Sequence, residues 1–138
     1  MMNGRLLKQI SEVRIKEAAV LLSTKNYCGA YYLAGYAIEC ALKACIAQKT
    51  KRHDFPDKNF AQKCYTHDLK ELVKLADLEA QRLNLEKHNS TFATNWTIVK
   101  DWNESSRYRM ITKAEAKNLL DSVTDPISGI LIWIQHYW

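Results

Sequence analysis

Glycine and proline are scarce in this chain, four and two residues out of 138. That is too few turn-formers for an all-β protein, and helices with short connections are the natural alternative. No run of about 18 or more consecutive apolar residues occurs, so no membrane span is expected. The N-terminus has no uninterrupted apolar stretch of the signal-peptide kind, and a cytoplasmic location is the expectation. The four cysteines, Cys28, Cys40, Cys45 and Cys64, form no C-x-x-C pair, which argues against a zinc knuckle. They are expected to be reduced, the first three serving as small core residues. The formal sequons at Asn89, Asn95 and Asn103 carry no meaning in a cytosolic chain. No metal or cofactor motif is complete, and no repeat or low-complexity tract is present.

What the chain does have is one domain's worth of residues, 47% hydrophobic and 25% charged, enough for a core without metals or disulfides. The net charge is +5 and the pI about 9.0. A basic balance permits phosphate contact, and equally a solvated basic surface. The stretch Asn26–Ala47, NYCGAYYLAGYAIECALKACIA, is small residues, tyrosines and aliphatics with only Glu39 and Lys43 charged. It can pack on nearly every side, which marks it as the central helix of a bundle.

Apolar periodicity predicts about five helices in an all-α, up-and-down arrangement. The first runs from Gly4 to Ser23 with Leu6, Leu7, Ile10, Val13, Ala18, Leu21 and Leu22 inward. Asn26 is placed to cap a second helix over Tyr27–Gln48. Lys49–Lys63, with Pro56, reads as a basic loop. A third helix opens near Thr66, a candidate cap, and either continues or restarts through Leu78–Leu85. A fourth covers about Ser90–Trp102. After a loop from Trp102 to Met110, Thr112-Lys-Ala-Glu115 matches the capping box and starts the last helix. Pro126 should kink that helix, whose core face includes Leu119, Leu120, Val123, Ile127, Ile130, Leu131 and Ile134.

Four segments, in order, resemble the HEPN domains, the helical domains named for nucleotide binding in higher eukaryotes and prokaryotes. They are Glu17-Ala-Ala-Val-Leu-Leu22, Tyr31-Tyr-Leu-Ala-Gly-Tyr-Ala-Ile-Glu39 with Leu42-Lys43-Ala44, Thr66-His-Asp-Leu69, and Ser106-Arg-Tyr-Arg109. The resemblance spans roughly Leu6 to Ile134 and implies a helical bundle paired as a homodimer. It also implies one of three functions. Some members are metal-independent ribonucleases, among them toxins of toxin–antitoxin pairs beside a small nucleotidyltransferase partner. Others bind nucleotides, and others are assembly modules. Active members carry R-x4-6-H near the start of the last helix. Here Arg107 and Arg109 match the arginine, but the four-to-six spacing leads to Thr112, Lys113, Ala114, Glu115 or Ala116. The histidine of the motif is missing, so weak or absent nuclease activity is expected.

The candidate site residues follow. Arg107, Tyr108 and Arg109 form a polar cluster suited to a phosphate, or a loop anchored by arginine–carboxylate pairs to Glu39 or Asp101. Glu39 and Lys43, four apart, share a helix face. They form either a structural ion pair or a phosphate-binding lysine oriented by its glutamate. His67, at the expected start of the third helix, is an exposed or capping residue, or a ligand contact and acid–base group. His53, in the basic loop, could play the same part, whereas His136 has no partner in sequence. The four tyrosines of the central helix pack at helix interfaces or offer a stacking surface. Arg82 and His88 fit R-x5-H formally, but residues six apart on a helix point about 120° apart, so the match is taken as chance. The leading expectation is a HEPN-like domain binding a nucleotide or RNA phosphate. The alternatives are a HEPN ribonuclease with a rearranged histidine and a non-catalytic interaction module.

Overall fold

A computed structural model describes residues 3–52 and 58–138. The described residues form eight α-helices and one 3₁₀ turn, with no strand. His53 and Pro56 of the expected basic loop lie outside the described residues.

Helix α1, Gly4–Ser23, starts where Asn3 caps it, the side-chain oxygen accepting from the Leu6 N–H at 2.8 Å. It ends at Thr24 and Lys25. Lys25 takes the left-handed conformation, φ 66°, and its N–H closes on the Leu22 carbonyl, which turns the chain back. Helix α2, Tyr27–Arg52, is 26 residues, about 39 Å long. It returns antiparallel to α1: Gly4 lies against Ala44 and Ala47, and Gly29 against Leu21. Between those ends the buried Ser11 hydroxyl donates to the Ala37 carbonyl at 2.8 Å. Small residues permit this approach. Ala30, Ala34, Ala37, Ala41 and Ala44 are all fully buried, so α2 packs with little side-chain thickness.

The remaining helices are α3 (Lys58–Lys63), α4 (Leu69–Leu75), α5 (Glu79–His88), α6 (Ser90–Val99), α7 (Lys113–Thr124) and α8 (Ile130–Gln135); α4, α7 and α8 pack on α2, and α5 packs on α6. The 3₁₀ turn, Glu104–Tyr108, lies between α6 and α7. One core unites them, with Ile38, Leu42 and Ile46 of α2 meeting Leu69, Leu72, Phe92, Leu119, Ile130 and Ile134. Burying one such side chain contributes about 1.5–3 kcal/mol.

The five expected helices become eight for identifiable reasons. The basic loop is partly helical, since α2 continues to Arg52 and α3 occupies its last six residues. Asp68, not Thr66, caps α4, its carboxylate accepting from the Lys70 N–H at 3.0 Å. Asp77, at φ 65°, then separates α4 from α5. Pro126 does more than kink the last helix. The Asp125 carboxylate accepts from the Ile127 and Ser128 N–H groups, the helix stops at Thr124, and α8 begins afresh at Ile130. Ile127, expected in the core, is consequently 86% exposed. The Thr112–Glu115 capping box is formed in full. No helix among the described residues is long and apolar enough to cross a membrane.

Candidate functional site

Residues 32, 35, 36, 39 and 43 recur at three- and four-residue steps and so share one face of α2. Its companion is the segment from Lys100 through the 3₁₀ turn. Trp102 is seated on Gly35, where any Cβ would overlap the indole. The ring of Tyr32 is 5.9 Å from that indole and 6.2 Å from the stacked ring of Tyr36.

One turn beyond Gly35, Glu39 is 3% exposed. A buried carboxylate needs charged or hydrogen-bonding partners. Its Oε2 has two, Lys43 Nζ at 3.1 Å and His67 Nδ1 at 2.9 Å. When Glu39 is ionised, Nδ1 carries the proton of that bond, and the ring is fixed in orientation. The other ring nitrogen, Nε2, lies 3.2 Å from Oε2 of Glu104. His67 is thus gripped from both sides, by a buried carboxylate of α2 and a half-exposed one of the 3₁₀ turn.

His67 also lines an open cleft of about 600 Å³ whose walls are Thr66–Asp68 with Lys70 on one side and Lys100–Ser105 on the other. The cleft therefore presents an imidazole whose two nitrogens are engaged by Glu39 and Glu104, together with two lysines and the carboxylates of Asp68, Asp101 and Glu104. Beside it are three buried polar atoms without a hydrogen-bond partner among the described residues: Glu39 Oε1, Trp102 Nε1 and Ser106 Oγ. No group of three His, Cys, Asp or Glu side chains among the described residues could hold a metal.

The sequence candidates divide into separate groups. Glu39, Lys43 and His67 meet. The Arg109 guanidinium instead bonds Glu115 at 2.9 Å and lies over the Tyr31 ring. Arg107 stacks on the exposed ring of Tyr108, 4.9 Å from its centroid. Neither arginine lines the cleft, and the anticipated arginine pairing to Glu39 or Asp101 is replaced by Glu115. Arg82 is held by Glu79 and Glu86 over Trp96, while His88 donates to the Asn84 carbonyl, so the formal R-x5-H is not joined. His136 likewise donates to a backbone carbonyl, that of Ile132.

Sequence reading missed Glu104, Lys70 and Lys100. Lys70 follows His67 by three residues, a spacing that could have flagged it. Glu104 and Lys100 reach the site only through tertiary folding. Comparisons with protein-family models, curated proteins and solved structures give no match.

Proposed function

We propose that the chain is a HEPN-like domain whose cleft binds a phosphate group of a nucleotide or of RNA. The observation that carries this reading is His67, oriented by buried Glu39 and facing a cleft that also holds Lys70 and Lys100. Two lysines line the same concave surface as the imidazole, which Glu39 fixes before any ligand arrives and whose Nε2 a phosphate would take over from Glu104. Preorganised donors lose less entropy on binding an anion than free side chains do. Titration calorimetry with a nucleoside monophosphate tests it. Wild type should bind, and His67→Ala and Lys100→Ala should each weaken binding; absence of binding to wild type would sink the reading.

The Glu39–His67 pair also favours a second reading, metal-independent RNA cleavage with His67 as the acid–base group. A carboxylate bonded to one ring nitrogen sets the tautomer, and the other nitrogen, 3.2 Å from Glu104, could exchange a proton with a substrate that displaces that carboxylate. This places the acid–base function on α4's threshold and not on the arginine motif. An RNA-cleavage assay in chelator separates the readings, since binding without cutting leaves only the first.

The homodimer implied by the resemblance has its best support on α1. Leu6 and Val13, expected to face inward, are instead 41% and 46% exposed, and Val20 is 61% exposed; the three repeat every seven residues, one stripe along the helix. We assign that stripe to contact with a second copy. Light scattering should report a dimer for wild type and a monomer for Val13→Glu; a wild-type monomer would remove this element alone.

A further inference from the structure

His67 and Glu104 stand on opposite walls of the cleft. His67 belongs to the Thr66–Asp68 side, and Glu104 to the Lys100–Ser105 side. Their contact, Nε2 to Oε2 at 3.2 Å, is the one ion pair among the described residues that joins these walls. On the Glu104 side the chain is anchored twice, at Trp102 against Gly35 and at buried Ser106. Between these anchors Asn103 and Ser105 are exposed and Glu104 is half-exposed. The Glu104 side chain can therefore leave His67 without disturbing either anchor.

The ring decides whether it does. A neutral imidazole has one N–H, and two carboxylates flank this one. Only the imidazolium offers a proton to both. Once neutral, the ring must serve either Glu39 or Glu104, and the two differ in what water can do for them. Glu39 is 3% exposed. Depriving a buried carboxylate of a donor costs more than an exposed ion pair is worth. Glu104 has water as a ready replacement. The remaining proton therefore stays on Nδ1, and Nε2 is left bare. Its lone pair then faces a carboxylate, and the contact across the cleft loses its attraction.

The other charged and titratable groups around the ring do not take over either role. Lys43 of α2 bonds the same oxygen of Glu39 as His67 does and keeps that carboxylate ionised. Asp68 and Lys70 at the start of α4, and Lys100 and Asp101 on the far wall, line the cleft but form no ion pair with the ring. Cys64 and Tyr65, just before it in sequence, form none either.

We propose that His67 is a pH-operated latch on the cleft. Protonated, it bridges Glu39 and Glu104 and draws the two walls together, which is the arrangement in this structure. Neutral, having given the Nε2 proton to solvent, it keeps Glu39 and lets Glu104 go, so the cleft opens and Nε2 is bared. Histidine ordinarily changes charge between about pH 5 and 8, a range in which Glu104, as an ordinary exposed carboxylate, stays ionised. The latch does not depend on what the cleft binds, so it can fail while the phosphate reading stands.

Nuclear magnetic resonance on the full chain tests it at about pH 5.5 and about pH 8, either side of the usual histidine range. The first readout is the pair of His67 ring nitrogens. Both should carry protons at the lower pH, and Nδ1 alone at the higher, the reverse of the tautomer that free histidine favours. The second is the nuclear Overhauser effect between the His67 ring protons and the Glu104 γ-protons. It should be present at the lower pH and lost at the higher. Glu104→Gln keeps the shape and removes the charge. Its amide accepts from a protonated Nε2 and donates to a bare one, so that variant should keep the contact at both pH values. A wild-type contact of equal strength at both pH values overturns the latch, as does a proton on Nε2 rather than Nδ1 at the higher pH. A contact in Glu104→Gln that still vanishes at the higher pH also overturns it, because the opening would then owe nothing to the Glu104 charge.

Discussion

Trp102 occupies the space that a side chain at residue 35 would need. That contact, with the Tyr32 ring beside the same indole, joins the central helix to the segment carrying Glu104, which forms one wall of the cleft. Gly29, on the same helix, is a contrasting case, since a Cβ there would meet only the flexible end of Leu21 at 3.0 Å.

Alanine at the two positions should therefore act oppositely. Gly35→Ala should destabilise by about 1–3 kcal/mol, the usual cost of overpacking, and should disturb the cleft. Gly29→Ala should be neutral or stabilising by up to about 1 kcal/mol, the helix-propensity gain. Urea unfolding of both variants measures this, and equal destabilisation would contradict the Trp102 account.

The thiols should differ as sharply. Burial pushes Cys40 up to about 11 and Cys45 up to about 12, and raises Cys64 as well. Cys28 is half-exposed, its thiol directed at the Arg109 carbonyl. Thiolate is the reactive form, so iodoacetamide at neutral pH should modify Cys28 first, and the other three only after unfolding. Peptide mapping by mass spectrometry reads the order.

Acid should weaken the start of α7 and the α7–α8 corner. The Arg109 guanidinium and then the Thr112 N–H hold Glu115 below the usual glutamate range. The Ser128 and Ile127 N–H groups do the same for Asp125. A depressed folded pKa stabilises above the unfolded value, and that contribution is lost as pH falls through the folded one. Stability should thus decline below about pH 5, and Glu115→Gln should flatten its part of the decline. Thr112→Ala, which removes the cap itself, should cost about 1 kcal/mol at neutral pH.

Much of the scaffold was legible because its signals are local. The bounds of α1, the burial of α2 and the Thr112–Glu115 box all follow from residues within a turn or two of one another. The misreadings came where two local signals competed. Thr66 and Asp68 are both good caps, but the Thr66 hydroxyl accepts from the Asp68 N–H and Asp68 takes the cap. Pro126 could kink or end a helix, and Asp125, by capturing two N–H groups, decides for the break that exposes Ile127. The Glu39–Lys43 pair was visible from its spacing. The bond from Glu39 to His67 spans 28 positions and depends on how α4 docks against α2, which no periodicity encodes. Arg109 satisfies Glu115 from six residues away, a local solution that removed it from the cleft.

The central claim is that the oriented imidazole of His67 meets a phosphate in the cleft. Histidine ring resonances, followed by long-range ¹H–¹⁵N correlation during titration with a nucleoside monophosphate, test it most directly. The account predicts saturable shifts at His67, with His88 and His136 unmoved, and loss of the response in Lys70→Ala/Lys100→Ala. Saturating nucleotide that leaves the His67 nitrogens where they were would contradict it.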